Sequence, residues 1–370
     1  MIKIKLKEVS IGGYKSIAYD KPITLKLGDV NILLGANGAG KSNIVSFFQM
    51  LSFMMSKKFG LYVASNGDAD TLLHYGSKNT QSISGNLKFS FKDSIDTYEF
   101  LLRHVVPNKL IFLEEKVFWY RQNANSPFTA NLIPLYHESA ITENKNNVVR
   151  SIFRMLDFCK VYQFHDTSKE GPLRTGCPVE TSNYLQAYGN NLPSFLLLLK
   201  ENYRDSYNKI VFYIHNIAPQ FKDFYLEPIN NYISLRWIDN SATDYVFNAY
   251  QLSDGTLRFI ALATLLLQPK EIMPNVIIID EPELGLHPSA IAQLAEMIKE
   301  ASRHTQIIVA TQSKDLVDNF DIENISVVEM DKETQSTSVK QLTEEEYKHW
   351  LEEYMISELW DKNVIGGNPL

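Results

Sequence analysis

A chain of 370 residues is long enough to bury more than one core-sized cluster. Its 36 Lys and Arg against 43 Asp and Glu leave a formal charge of −7, which argues against a protein that coats nucleic acid over its whole surface. Two cysteines, Cys159 and Cys177, have no metal-type spacing, and the longest apolar run, 259–267, falls short of the about 18 residues a membrane helix needs.

Residues 1–7 alternate apolar and basic side chains like a strand, without the apolar centre of a signal peptide, so a cytoplasmic chain is expected. Residues 1–55 read as strand, strand, loop and helix. Three alternating runs at 82–91, 97–106 and 109–121, with turn signals at Lys92-Asp93-Ser94 and Pro107-Asn108, predict an antiparallel meander. From Asn146 the pattern turns helical, is interrupted by an apolar segment at 160–164, and predicts helices over 183–203 and 206–217. Two strand-like runs, 232–239 and 244–250, lead to a helix at 254–268, a buried strand at 276–280, a helix at 288–302 and a buried strand at 306–311. A charged helix is expected over 343–357.

Short, continuously apolar strands alternating with helices predict an α/β fold with a mainly parallel core sheet covered on both faces. The expected division is an N-terminal lobe at 1–145, a mainly helical insertion at 146–250 and a C-terminal lobe at 251–370 that completes the same sheet.

Gly35-Ala36-Asn37-Gly38-Ala39-Gly40-Lys41-Ser42 follows an apolar strand and precedes a helix. In this phosphate-binding pattern, glycines let backbone N–H groups close round a phosphate, Lys41 reaches the β- and γ-phosphates, and Ser42 can ligate Mg²⁺. The strand 276–280 ends in Asp280-Glu281. That pair divides naturally, Asp280 holding Mg²⁺ and Glu281 polarising a water for attack on the γ-phosphate. Leu252-Ser253-Asp254-Gly255-Thr256 opens a helix. Ser253 can be a simple cap, or Ser253 and Gly255 can form an anion site for a phosphate held by another subunit.

Gly35–Ser42, Leu252–Gly255, Asp280-Glu281-Pro282 and Ala310-Thr311-Gln312-Ser313, in that order, resemble the ATPase head of the ABC superfamily. Tyr14-Lys15-Ser16, the Asn43 that follows the loop, and Glu281–Pro288 make the resemblance strongest to the SMC and RecF-like branch, including compact bacterial OLD-like ATPases. It covers 1–55 and 250–320 well and the insertion loosely. The resemblance implies an ABC-type head with an antiparallel β subdomain and a helical insertion. Nucleotide would be held by Asn37, Gly38, Ala39, Gly40, Lys41, Ser42 and Asn43, and Mg²⁺ by Ser42, Asp280 and the Q-loop glutamine Gln163. It implies a head-to-tail homodimer in which Ser253 and Gly255 of one copy meet ATP on the other.

Two positions depart from the commonest pattern. Gln312 stands where transporter heads carry histidine; it can orient water but cannot accept a proton near neutral pH, so slow hydrolysis through Glu281 is expected. Asp254 replaces a signature glycine and is expected to point away from the phosphate. His287 admits a capping or an interface role, and His165 and Asp166 read as loop residues.

The insertion is too short for a long coiled-coil arm, and the segment after Ser313 has little room for a nuclease domain. The resemblance then implies an ATP-driven switch controlling a separate effector, a nuclease or toxin in bacterial anti-phage defence. The competing expectation is a RecF-like repair or clamp ATPase that grips DNA through Lys3, Lys5, Lys7, Lys57 and Lys58.

Overall fold

The computed structural model describes residues 4–91, 94–121, 128–133, 136–241 and 244–368. The chain divides into two compact units, one of residues 1–161, 274–278 and 306–370, the other of residues 162–273 and 279–305.

The first unit contains a six-stranded antiparallel sheet in the order Ile23–Lys26, Lys5–Gly12, Ser82–Phe91, Ser94–Val105, Lys109–Arg121, Phe128–Asn131. The meander expected from the alternating runs is its centre. The expected turn at Lys92-Asp93 lies outside the described residues, as does Lys3. Alternate side chains of these strands face a core shared with the helix Lys41–Met55, which buries Ile44, Phe47, Phe48, Leu51 and Met54. There Phe47 stacks on Phe100 with ring centroids 6.1 Å apart. Gly85, opposite Phe100 in the neighbouring strand, leaves the space the Phe100 ring fills, since a Cβ there would collide with it.

A second sheet has the order Ser336–Gln341, Ile325–Asp331, Val30–Leu34, Gln306–Thr311, Val276–Asp280, Cys159–Tyr162. Val30–Leu34 runs parallel to both Gln306–Thr311 and Ile325–Asp331, and Ser336–Gln341 closes that edge antiparallel. Every residue of Val30–Leu34, Val276–Asp280 and Gln306–Thr311 is buried, which explains why apolar residues dominate these strands without a polar alternation. The chain passes from the first unit to the second within Val276–Asp280, after Ile278.

The second unit is built on the helices Leu192–Asn202, Arg204–Ile217, Asp254–Leu266 and Pro288–Ser302. A three-stranded antiparallel sheet, Phe221–Phe224, Arg236–Asp239 and Val246–Asn248, and a small pairing of Cys177–Pro178 with Tyr232–Ile233 complete it. Asp254–Leu266 is buried on all sides from Leu257 onward, so its sequence lacks a polar face.

Three elements differ from expectation. The helix expected from Asn183 begins at Leu192. Asn191 is drawn into the preceding loop, accepting from the Gln186 N–H and donating to the Thr181 and Tyr184 carbonyls, while Gly189 takes φ 74°. The run 232–239 splits between two sheets. The helix expected over 343–357 is two helices, Glu344–Leu351 and Ile356–Asp361. Asp318 accepts from the Ser357 N–H and hydroxyl at 2.8 and 2.6 Å, satisfying donors of a new first turn.

Candidate nucleotide-binding site

In the first unit the loop 35–42 leaves the buried strand Val30–Leu34 and enters the helix Lys41–Met55. Gly38 and Gly40 take φ 83° and 108°, left-handed conformations that favour glycine. A Cβ on Gly35 would collide with the Val328 carbonyl, so this glycine lets the loop pass against the neighbouring strand. The N-terminus of Lys41–Met55 has no capping side chain and no acidic residue in its first turn. Its first N–H groups and helix dipole are thus suited to an anion. The buried Lys41 donates from Nζ to the Gly35 and Ala36 carbonyls at 2.8 and 3.0 Å, which holds the ammonium over the loop. Ser42, Asn37 and Gly38 are exposed and Ala39 is buried.

A hydrogen-bond chain fixes the back of this loop. Asn43 Nδ2 donates to Ser16 Oγ at 2.7 Å, and Thr337 Oγ1 donates to the Ala39 carbonyl at 3.0 Å. The Thr337 proton is thereby committed, so Ser16 supplies the proton of the 2.6 Å contact between the two hydroxyls. Lys15, with φ 49°, donates to Ser46 Oγ on the same helix at 3.0 Å, and burial lowers its ammonium below the usual lysine range.

Gln312 emerges beside the loop. Thr311 is paired with Leu34, and the Gly35 N–H donates to the Thr311 carbonyl at 3.4 Å. Gln312 is half-buried at this point, and Ser313 caps the short helix that follows.

The second unit carries the remaining candidate residues. Ser253 is the N-cap of Asp254–Leu266, accepting from the Thr256 N–H at 3.1 Å, and remains exposed. Gly255 passes close to the Gly285 carbonyl, which would lie 2.5 Å from a Cβ there. The Asp254 carboxylate binds Arg174 at 2.6 Å, and this hydrogen bond lowers its pKa below the usual carboxylate range. Arg174 also donates to the Thr167, Ala249 and Leu252 carbonyls.

Asp280 is buried at the end of its strand, and Glu281 has φ 43°. A left-handed glutamate costs about 1–2 kcal/mol and persists only where neighbours enforce it. His165 Nε2 lies 2.7 Å from the Asp280 carbonyl. Arg258 donates to the Phe164 and His165 carbonyls at 3.0 Å each and to the Leu284 carbonyl. Gln163 follows the strand Cys159–Tyr162 directly, its N–H bonded to the Ala187 carbonyl at 2.9 Å. His287 acts as an N-cap, its Nδ1 accepting from the Ser289 N–H at 3.3 Å.

In the first unit the loop offers N–H groups, an ammonium and the Ser42 hydroxyl, a donor set that fits a phosphate. In the second unit Asp280 carries the kind of hard oxygen that Mg²⁺ prefers. Among the described residues no group of three or more His, Cys, Asp or Glu could hold a metal.

Residues 186–318 match the family described as AAA domain, putative AbiEii toxin, Type IV TA system. No curated protein matches the sequence. Among solved structures, an SMC head bound to the C-terminal winged-helix domain of ScpA superposes with a TM-score of 0.61 at 15% identity, covering 93% of this chain and 99% of that one. An Smc head with an extended coiled coil, bound to the C-terminal domain of ScpA and derived from Pyrococcus furiosus, gives 0.59 at 15% identity over 95% and 99%. The chain has the fold of an SMC head domain.

The loop 35–42 and the strand ending in Asp280-Glu281 carry local sequence signals. The contacts that support them do not. Thr337 meets Ser16 across 321 residues, and His165 meets the Asp280 carbonyl across 115. The pairing of Tyr14-Lys15-Ser16 with the motif set was the one signal pointing towards the first; nothing local marked His165 or Arg258.

Proposed function

We propose that this chain binds ATP with Mg²⁺ and hydrolyses it as a switch that closes as a head-to-tail dimer. The observation that carries the reading is the uncapped, acid-free helix N-terminus at Lys41, reached through two left-handed glycines and flanked by Gln312. Backbone N–H groups of the loop and Lys41 would bind the phosphates, with Asn37, Ala39 and Asn43 shaping the loop around them. Ser42, Asp280 and Gln163 would hold Mg²⁺, which would supply charge neutralisation to the phosphates. Glu281 orients and deprotonates the attacking water, and Gln312 holds that water by hydrogen bonds. Ser253 and Gly255, exposed or half-exposed at the start of a thirteen-residue helix, would grip the γ-phosphate of a second copy.

In this reading the segment 146–250 transmits the nucleotide state to a separate effector, a nuclease or toxin in bacterial anti-phage defence. The family name matched over 186–318, with its toxin–antitoxin reference, supports an output of that kind. A DNA-gripping role has less support, because Lys5 pairs with Asp29 at 3.0 Å and Lys57 with Glu143 at 2.7 Å. No helix among the described residues is long and apolar enough to cross a membrane.

Two variants test the assignment. Lys41→Ala should abolish ATP binding and turnover together, whereas Glu281→Gln should bind ATP as the unaltered chain does and lose turnover by about a hundredfold or more. Turnover by Glu281→Gln at the unaltered rate would remove Glu281 from the mechanism.

A further inference from the structure

We propose that His165 is a positioning residue for Glu281, a role that rests on the assignment of Glu281 as the water-activating group. Glu281 adopts φ 43°, and the peptide that enters it begins at the Asp280 carbonyl, to which His165 Nε2 lies at 2.7 Å. A carbonyl only accepts, so Nε2 carries the proton and the imidazole is a donor here. That bond fixes the plane of the 280–281 peptide, which in turn sets the direction in which the Glu281 side chain leaves the backbone.

The other end of the turn is held by Arg258. Its guanidinium donates to the Leu284 carbonyl and also to the carbonyls of Phe164 and His165, so the group that anchors the end of the turn also anchors the backbone of His165. Within the turn the Leu284 N–H returns to the Glu281 carbonyl at 3.2 Å. Gly285, with φ 75°, leaves the room Arg258 occupies, since a Cβ there would lie 2.8 Å from its Nη1. Arg258 projects from the helix that Ser253 opens, so the same helix presents the proposed partner contact and braces the catalytic turn. A left-handed glutamate fixed at both ends is the arrangement expected of a preorganised catalytic carboxylate.

The test compares His165→Ala with His165→Gln in the full chain, the amide of glutamine reaching about as far as Nε2. Steady-state turnover of Mg-ATP, binding of a fluorescent ATP analogue, and hydrogen exchange of the peptide spanning 280–286 are measured. His165→Ala should lower kcat about tenfold to a hundredfold with analogue affinity within about threefold, and His165→Gln should recover most of the loss. Exchange across 280–286 should speed up in His165→Ala and return in His165→Gln. Turnover by His165→Ala within about twofold of the unaltered chain would overturn the proposal. So would a loss that His165→Gln does not repair while exchange across 280–286 stays unchanged. If the unaltered chain turns over no ATP, the hydrolytic reading fails on its own, and exchange alone decides the positioning role: unchanged exchange in His165→Ala rejects it.

Discussion

Asp96 is a carboxyl in an apolar setting. It sits on the inward face of Ser94–Val105, buried, with Ser94 Oγ at 3.5 Å from Oδ2 and no hydrogen-bond partner for Oδ1 among the described residues. Burial pushes its pKa up to about 6. The folded value lies above the ordinary 3.8, so its contribution to stability is full below that pH and is lost as pH rises through about 6. Asp96→Asn should therefore gain stability over the unaltered chain at about pH 7.5 and show little gain at about pH 4. Urea midpoints at the two pH values check this; an equal difference at both would place the effect elsewhere.

Among larger elements, the helix Lys41–Met55 shows how the core positions the site. Its N-terminus faces loop 35–42, while its buried face rests on the antiparallel sheet through Phe47 and Phe100. Gly85 is the position on which that packing depends. Gly85→Ala drives a methyl group into the Phe100 ring and should cost about 1–3 kcal/mol in the urea midpoint, with secondary structure retained. A midpoint equal to that of the unaltered chain would show that the ring moves aside freely. The loop, the buried strands and the Asp-Glu pair were legible in sequence because each is a local pattern of consecutive residues. The split at Glu352–Met355 was not, because Asp318 defines the new helix start from another part of the chain. Nor was the brace of His165 and Arg258, whose bonds go mostly to backbone carbonyls that any sequence would provide.

For the whole molecule, the residues proposed for nucleotide chemistry are distributed over both units. Lys41, Ser42 and Gln312 belong to the first unit, and Ser253, Gly255, Asp280, Glu281 and Gln163 to the second. Asp254 is bound to Arg174, so in the proposed dimer the Ser253 hydroxyl and the Gly255 backbone would be the groups offered to a second copy. Acting as a switch requires that ATP held at Lys41 of one copy be completed by Ser253 of another. The most direct measurement is the solution mass of the Glu281→Gln chain by light scattering, with and without Mg-ATP, alone and combined with Ser253→Arg. Mg-ATP should double the mass of Glu281→Gln, and adding Ser253→Arg should prevent the doubling while ATP affinity stays within about threefold. An ATP-bound Glu281→Gln chain that keeps its nucleotide-free mass, or a Ser253→Arg variant that still doubles, would contradict it.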